Sequence, residues 1–232
     1  MAAFRKAIEM GADAIELDLH QTADGYLVVL HDFSLKRTTG DPRPVKQIRL
    51  SQIKKLDAGI WWSKGYQGER IPSLEEVLEL ARDRIAVYIE LKRGSSFYPA
   101  IEARLIALIG QLKAHPWVTV SSFDSQALQI LRDRDPKLAL GLLTRLKEPK
   151  PILDLAHRLS VRAIHISTRR FSPTLLRQAQ ARGFLLLVYT VNQKVAMKEY
   201  VNLGVDGLFT DYPDRLTSLL NSLRQNSERR RA

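Results

Sequence analysis

The sequence predicts an α/β fold of the TIM type, a (β/α)8 barrel, from three observations. Strand-sized apolar runs alternate with amphipathic stretches at a spacing of about 20 to 25 residues through the second half of the chain. The 232 residues suffice for one barrel, which takes about 250 residues. Acidic residues occupy alternate positions in two of the apolar runs, where a strand would turn them to one face.

The apolar runs predict seven strands, at residues 14–20, 85–91, 117–121, 138–143, 162–166, 184–191 and 205–209. A closed barrel needs eight, and the chain opens in a helical pattern. We therefore expect a barrel that lacks its first strand. Two unpaired sheet edges would favour aggregation, domain swapping or an opened barrel.

Helical periodicity fills the intervals between the strands. The predicted helices cover residues 2–10, 74–83, 98–113, 125–134, 150–159, 173–182, 194–202 and 213–225. Ser73 with Glu76 forms a capping box, and Asp124 and Ser172 are typical N-cap residues. Gly204 follows a helix at the position where a left-handed residue ends it.

One interruption breaks this rhythm, at about 33–72, after the strand that would be the second of the barrel. Forty residues are long for a connection, so we expect a small insertion over the active site. Residues 1–225 are predicted to form a single barrel domain. The run 226–232 is predicted to be a basic tail.

Composition narrows the class of protein. The chain has no cysteine, no signal-peptide pattern and no apolar run of bilayer length, which favours the cytoplasm. The net charge of +11 attracts polyanions, yet no nucleic-acid-binding motif accompanies it. We expect no specific nucleic-acid partner and no stable membrane anchor, because we find no aromatic or amphipathic insertion element. The sequence is compatible with a homo-oligomer but does not predict the oligomeric state.

Three carboxylates carry the predicted chemistry. Glu16 and Asp18 share one face of the first strand with His20, and Glu90 lies on the corresponding face of "YIELK". Inward carboxylates near the ends of barrel strands repel one another unless a cation neutralises them, and oxygen ligands favour Mg²⁺ or Ca²⁺. Ion pairing with Lys92 inside the barrel is the alternative explanation.

Two further side chains complete this hypothesis. Lys92, two positions after Glu90, would balance phosphate charge as a point cation. His31, at the end of "GYLVVLHD", is placed to carry a proton near neutral pH.

The motifs in order resemble the glycerophosphodiester phosphodiesterase family, which shares a barrel with phosphatidylinositol-specific phospholipases C. They are "GADAIELDLHQTADGYLVVLHDFSLKRTTG", "GERIPSLEEVL", "YIELKRG", "SSFD", "YTVN" and "GVDGLFTDYPDRL". The resemblance implies metal-dependent hydrolysis of a small glycerophosphodiester to glycerol 3-phosphate and an alcohol, by acid/base catalysis at a metal-bound phosphate. It makes Glu16, Asp18 and Glu90 the metal ligands, Lys92 a phosphate contact and His31 catalytic.

Two aromatic residues are weaker candidates for substrate contact. Tyr189 occupies a position where the family usually carries tryptophan, so it is either a pocket wall or a core aromatic. Trp61, next to Trp62 in the insertion, either covers the glycerol moiety or packs the insertion onto the barrel.

The family's second catalytic histidine belongs to a His-Arg-Gly segment that this sequence does not contain. We expect the sequence to start late, at an internal methionine of a complete enzyme. Replacement of the missing histidine by His20, which shares the face of the metal ligands, is a further alternative. The alternative hypothesis is a catalytically impaired remnant that binds phosphodiesters, because general acid/base help is worth about 10² to 10⁴ in rate.

Overall fold

The computed structural model describes residues 1–229. Its helices are α1 Ala2–Glu9, α2 Lys36–Thr39, α3 Leu50–Ile53, α4 Leu74–Ala81, α5 Ile101–Gln111, α6 Ser125–Arg134, α7 Pro149–Arg158, α8 Pro173–Ala181, α9 Lys194–Leu203 and α10 Pro213–Arg229. Its strands are β1 Ala14–Gln21, β2 Leu27–Val29, β3 Ala86–Leu91, β4 Val118–Ser122, β5 Ala139–Leu143, β6 Ala163–Ser167, β7 Leu185–Tyr189 and β8 Gly207–Leu208.

All seven predicted strands and all eight predicted helices occur in these described residues, with ends shifted by a few residues. The strand that was not predicted is β2, which has only three residues and is buried on every one, so no alternation reveals it. The predicted tail begins within α10, which continues to Arg229, and residues 230–232 lie outside the described part.

The described residues divide into two compact units. The first contains Met1–Lys6 and Ala14–Leu140, and the second contains Ala7–Asp13 and the described residues from Gly141 onward. In the first unit the strands lie in the order β2, β1, β3, β4. The strand β1 pairs with β2 in antiparallel fashion and with β3 in parallel, and β3 pairs in parallel with β4.

The second unit repeats a parallel βα pattern. Its strands lie in the order β5, β6, β7, β8, with Ile164 paired to Leu186 and Val188 to Leu208. The Ser172 hydroxyl accepts a hydrogen bond from the Leu175 amide at the start of α8, which confirms this predicted N-cap. Gly204 ends α9 in the left-handed region at φ +79°.

The insertion at 33–72 has a small hydrophobic core of its own within the first unit. Its seven buried members come from β2, the residue that follows it and the insertion: Val28, Leu30, Leu35, Val45, Ile48, Ile53 and Ile71. The regular structure of this segment consists of short elements only, α2, α3 and the 3-10 turns Val45–Gln47 and Lys64–Tyr66. The sequence hides this core because its apolar residues follow no helix or strand period.

No helix among residues 1–229 combines the length and the apolar character needed to cross a bilayer.

Two isoleucines of the insertion test whether its core contributes to stability. Ile53 is fully buried and Ile60 is 48% exposed. We expect Ile53→Ala to lower the free energy of unfolding by about 2–5 kcal/mol, because it leaves a cavity. Ile60→Ala should change it by less than about 0.5 kcal/mol. Chemical denaturation followed by circular dichroism measures both, and equal losses would contradict this account of the insertion core.

Candidate active site

The three predicted carboxylates meet on one face of the sheet in the first unit. The parallel register places Asp18 opposite Glu90 and Glu16 opposite Tyr88. Glu16, Asp18 and Glu90 each offer one oxygen, and these oxygens all lie within 4.8 Å of one another. The residues between them, among them Leu17 and Ile89, are buried on the opposite face. Alternation along two paired strands therefore explains why three acids are concentrated at one point.

Lys92 lies between two of these carboxylates. Its Nζ donates to Asp18 Oδ1 at 2.8 Å and to Glu90 Oε1 at 3.0 Å. Burial opposes the charge of Lys92, but the hydrogen bond and attraction from Asp18, together with Glu90, raise its pKa. Burial raises the pKa of Glu90, although Lys92 works against that shift. The two ion pairs thus hold the side chains of Lys92, Asp18 and Glu90 in place with little exposure to solvent.

The donor set fits a hard divalent cation. Three carboxylates and one ammonium carry a formal charge of −2, which a single divalent ion would neutralise. Ligand oxygens at about 2.0–2.6 Å from a shared ion lie up to about 4–5 Å apart, in agreement with the observed limit of 4.8 Å. Ion pairing with Lys92 and metal binding are therefore compatible, because Lys92 offsets only part of the negative charge.

His31 lies at the end of the β1–β2 hairpin, beside the acidic cluster. The Leu30 amide donates to the Asp18 carbonyl oxygen at 3.1 Å, which brings the hairpin end to this position. The His31 side chain is 67% exposed, and its Nδ1 lies 2.8 Å from Asp32 Oδ1. Asp32 in turn accepts from Arg37 Nε at 2.7 Å and from Nη2 at 3.2 Å. Hydrogen bonding from Arg37 lowers the pKa of Asp32 to about 2, so this carboxylate is charged at neutral pH.

His20 shares the acidic face but is fully buried. Its Nε2 lies 3.3 Å from the carbonyl oxygen of His31, and its Nδ1 lies 2.7 Å from the Tyr98 hydroxyl. A carbonyl only accepts, so Nε2 carries the proton and the Tyr98 hydroxyl donates to Nδ1. Burial lowers the pKa of His20 and keeps the ring neutral. Nε2 thus fixes the backbone of His31 and Nδ1 is held by Tyr98, so both ring nitrogens are already engaged, which argues against His20 as the replacement for the missing histidine.

The two aromatic candidates for substrate contact, Trp61 and Tyr189, belong to different segments of the chain and have different neighbours. Trp61 is 44% exposed, contacts Trp62 at 5.7 Å between ring centroids, and lies under the Arg37 guanidinium at 5.2 Å. Tyr189 belongs to the second unit, where its ring centroid is 6.5 Å from that of Phe209. Neither contact tests substrate binding, so both assignments stay predictions.

Comparison with known proteins identifies the family. A sequence model of the glycerophosphoryl diester phosphodiesterase family matches residues 1–215. The chain belongs to this family. Among curated relatives, a glycerophosphodiester phosphodiesterase of Caldanaerobacter subterraneus subsp. tengcongensis is 40% identical over 221 residues, covering 95% of this chain and 90% of the relative. One from Bacillus subtilis is 35% identical over 228 residues, covering 91% of this chain and 78% of the relative.

Solved structures of the family share the fold. A phosphodiesterase from Oleispira antarctica, in complex with the product sn-glycerol-3-phosphate, has a TM-score of 0.88 at 26% identity, covering 95% of this chain and 90% of that one. A glycerophosphodiester phosphodiesterase from Agrobacterium tumefaciens has a TM-score of 0.81 at 29% identity, covering 92% and 90%. The predicted α/β fold of the TIM type is confirmed.

Three residues that the sequence reasoning did not place complete the site. Asp32 holds the His31 ring, Arg37 holds Asp32, and Tyr98 holds His20. Asp32 and Arg37 lie five positions apart on either side of a helix start. This spacing is also common in exposed surface ion pairs, so it is only a weak indication of a functional role. Tyr98 lies 78 positions from His20, and no sequence pattern reveals that contact.

Removal of the Tyr98 hydroxyl tests how His20 is held. Tyr98→Phe leaves the buried Nδ1 of His20 without its donor, and an unsatisfied buried polar atom costs about 1–3 kcal/mol. The matched control is Tyr26→Phe, whose side chain is 55% exposed and which should be nearly neutral. Denaturant unfolding compares the two variants with the parent. No loss in Tyr98→Phe would show that this hydrogen bond does not support the site.

Proposed function

We propose that the chain hydrolyses small glycerophosphodiesters to glycerol 3-phosphate and an alcohol, with Glu16, Asp18 and Glu90 as ligands of Mg²⁺ or Ca²⁺. The grouping of three carboxylates, two of them paired with Lys92, in a chain of this family supports this proposal most directly. The relatives' activity, and the product bound to the Oleispira antarctica phosphodiesterase, support the substrate class.

In this proposal the residues of the site have different roles in phosphoryl transfer. A bound divalent ion would polarise the phosphoryl group and offset its negative charge. Lys92 contacts a non-bridging phosphoryl oxygen from its position between Asp18 and Glu90. In the hydrolysis, the oxygen of the attacking water forms a bond to phosphorus and gives up a proton, the bond from phosphorus to the alcohol oxygen breaks, and that alcohol oxygen gains a proton.

His31 is the residue that we assign to one of the two proton transfers. Asp32 accepts from the Nδ1 side of the ring, so the proton exchanged with substrate belongs to Nε2. The Asp32 carboxylate also fixes the orientation of the His31 ring. His20 contributes by holding the His31 carbonyl, and the assignments of Trp61 and of Tyr189 as substrate contacts stay predictions.

The comparisons favour hydrolysis over the non-catalytic alternative. A remnant that had lost its chemistry would have no reason to keep the acidic cluster, Lys92 and the His31–Asp32 pair in one connected arrangement. The cytoplasmic location, the oligomeric state and the lack of a nucleic-acid partner stay predictions.

The role of His31 is tested by turnover. Purified chain is incubated with glycerophosphocholine and Mg²⁺ or Ca²⁺, and release of glycerol 3-phosphate is measured by a coupled assay. His31→Ala should lower kcat by about 10² to 10⁴, the usual contribution of a general acid or base. His157→Ala, an exposed histidine on α7, should keep parental kcat. Parental turnover in His31→Ala would refute the assignment.

Metal dependence is tested by chelation. EDTA should abolish turnover, and addition of Mg²⁺ or Ca²⁺ in excess should restore it, since the carboxylates need a cation to approach an anionic substrate. Glu90→Gln should raise the metal concentration needed for half-maximal activity by at least about tenfold. Glu75→Gln, exposed on α4, is the control. Turnover that resists EDTA would remove the metal from the proposal.

A further inference from the structure

The insertion carries an exposed aromatic loop outside the acidic cluster. We call residues 57–68 the apex loop. All nine residues from 60 to 68 are exposed. They include four large apolar or aromatic side chains: Ile60 at 48%, Trp61 at 44%, Trp62 at 70% and Tyr66 at 43% exposed.

Internal hydrogen bonds hold the apex loop in one shape. The Asp57 carboxylate accepts from the backbone amides of Gly59, Ile60 and Gly68 at 2.8, 3.0 and 2.7 Å. The Trp61 indole N–H donates to the Ala58 carbonyl at 2.9 Å. A side chain at Gly59 would meet the Tyr66 carbonyl oxygen at 1.8 Å, so the loop closes tightly there. The aromatic residues are therefore presented by a preformed loop.

These exposed side chains do not stabilise the fold by burial. The core of the insertion is built from other residues, and Trp62 contacts Trp61 edge to face. A cluster of exposed apolar side chains with a polar surround marks an interaction surface. Tryptophan and tyrosine are suited to a boundary between water and an apolar phase, because their rings are apolar at one end and polar at the other.

The net charge of the insertion indicates the sign of the charge on its binding partner. Residues 33–72 contain nine Lys and Arg against three Asp and Glu, a net charge of +6 out of the chain's +11. Lys64 lies within the apex loop and is exposed, and Arg37 covers the Trp61 ring. Basic residues next to an anionic lipid surface each contribute favourably to association. The partner is thus expected to be anionic and apolar beneath its surface.

We propose that the apex loop docks the chain on anionic lipid surfaces, with Trp62 and Ile60 at the level of the lipid headgroups and Lys64 at the phosphates. The inference does not depend on the proposed catalytic function, because Trp62 and Ile60, the two side chains that it places in the lipid, have no assigned role in catalysis. It differs from the sequence-based expectation that no aromatic insertion element is present. Two adjacent tryptophans are as typical of a packed insertion as of an exposed loop, so the sequence alone does not indicate such an element.

Vesicle binding tests the proposal with the full chain. Sedimentation is measured with vesicles of phosphatidylcholine containing phosphatidylglycerol and with vesicles of phosphatidylcholine alone. We expect binding to the anionic vesicles, weakened by about tenfold in Trp62→Ala because an indole offers a large apolar area. Ile60→Ala should weaken it less. Val195→Ala, which removes an 80% exposed apolar side chain from α9, is the matched control and should bind as the parent does.

A second measurement separates insertion from general attraction between charges. Brominated lipids should quench tryptophan fluorescence in the parent, and Trp62→Phe should reduce the quenching while vesicle binding is largely kept. Unfolding temperatures of all variants confirm that they are folded. Activity on glycerophosphocholine in free solution should be unchanged in Trp62→Ala, so a failure of the docking proposal is distinguishable from a failure of the catalytic one.

Three outcomes would overturn the proposal. The first is a lack of binding to anionic vesicles. The second is binding that Trp62→Ala and Ile60→Ala leave intact, which would mean attraction through charge alone. The third is dimerisation of the parent, measured by light scattering and lost in Trp62→Ala, which would assign the apex loop to a second copy of the chain.

Discussion

Repulsion among three carboxylates is the constraint from which the rest of the site follows. Parallel pairing of β1 with β3 sets Asp18 opposite Glu90, and the two-residue period adds Glu16 on the same face. Apolar side chains on the other face fix that orientation, since a slip of one residue would bury the acids and expose the leucines and isoleucines. The fold thus forces negative charge together, and Lys92 compensates for only part of it.

The surrounding structure is arranged to place one histidine beside this charge. The short hairpin returns the chain so that Leu30 bonds to Asp18, and His20 then fixes the next carbonyl from the interior. On the outer side, Asp32 and Arg37 fix the ring of His31 itself. The same Arg37 lies over Trp61, so a continuous series of contacts joins His31 to the apex loop of the insertion.

The parts of this arrangement that the sequence predicts are those governed by local period. Alternation in "AIELDLH" and "YIELK" is sufficient to orient Glu16, Asp18 and Glu90, and strong apolar runs between capped helices reveal the strands. Contacts between distant residues have no such signal. Three features depend on how irregular segments fold back onto the chain: the hydrogen bond from the Tyr98 hydroxyl to His20, the core of the insertion around Ile53, and the exposure of Trp62. Neither composition nor the spacing of apolar residues reveals such folding.

The central claim is that Glu16, Asp18 and Glu90 together hold one divalent ion. Its most direct test is anomalous diffraction from crystals of the chain soaked in Mn²⁺, which is chemically close to Mg²⁺ and visible by its own scattering. We expect one peak within about 2.6 Å of a carboxylate oxygen from each of the three residues. A peak at any other group of residues, or carboxylates that remain bound to Lys92 with no ion among them, would contradict it.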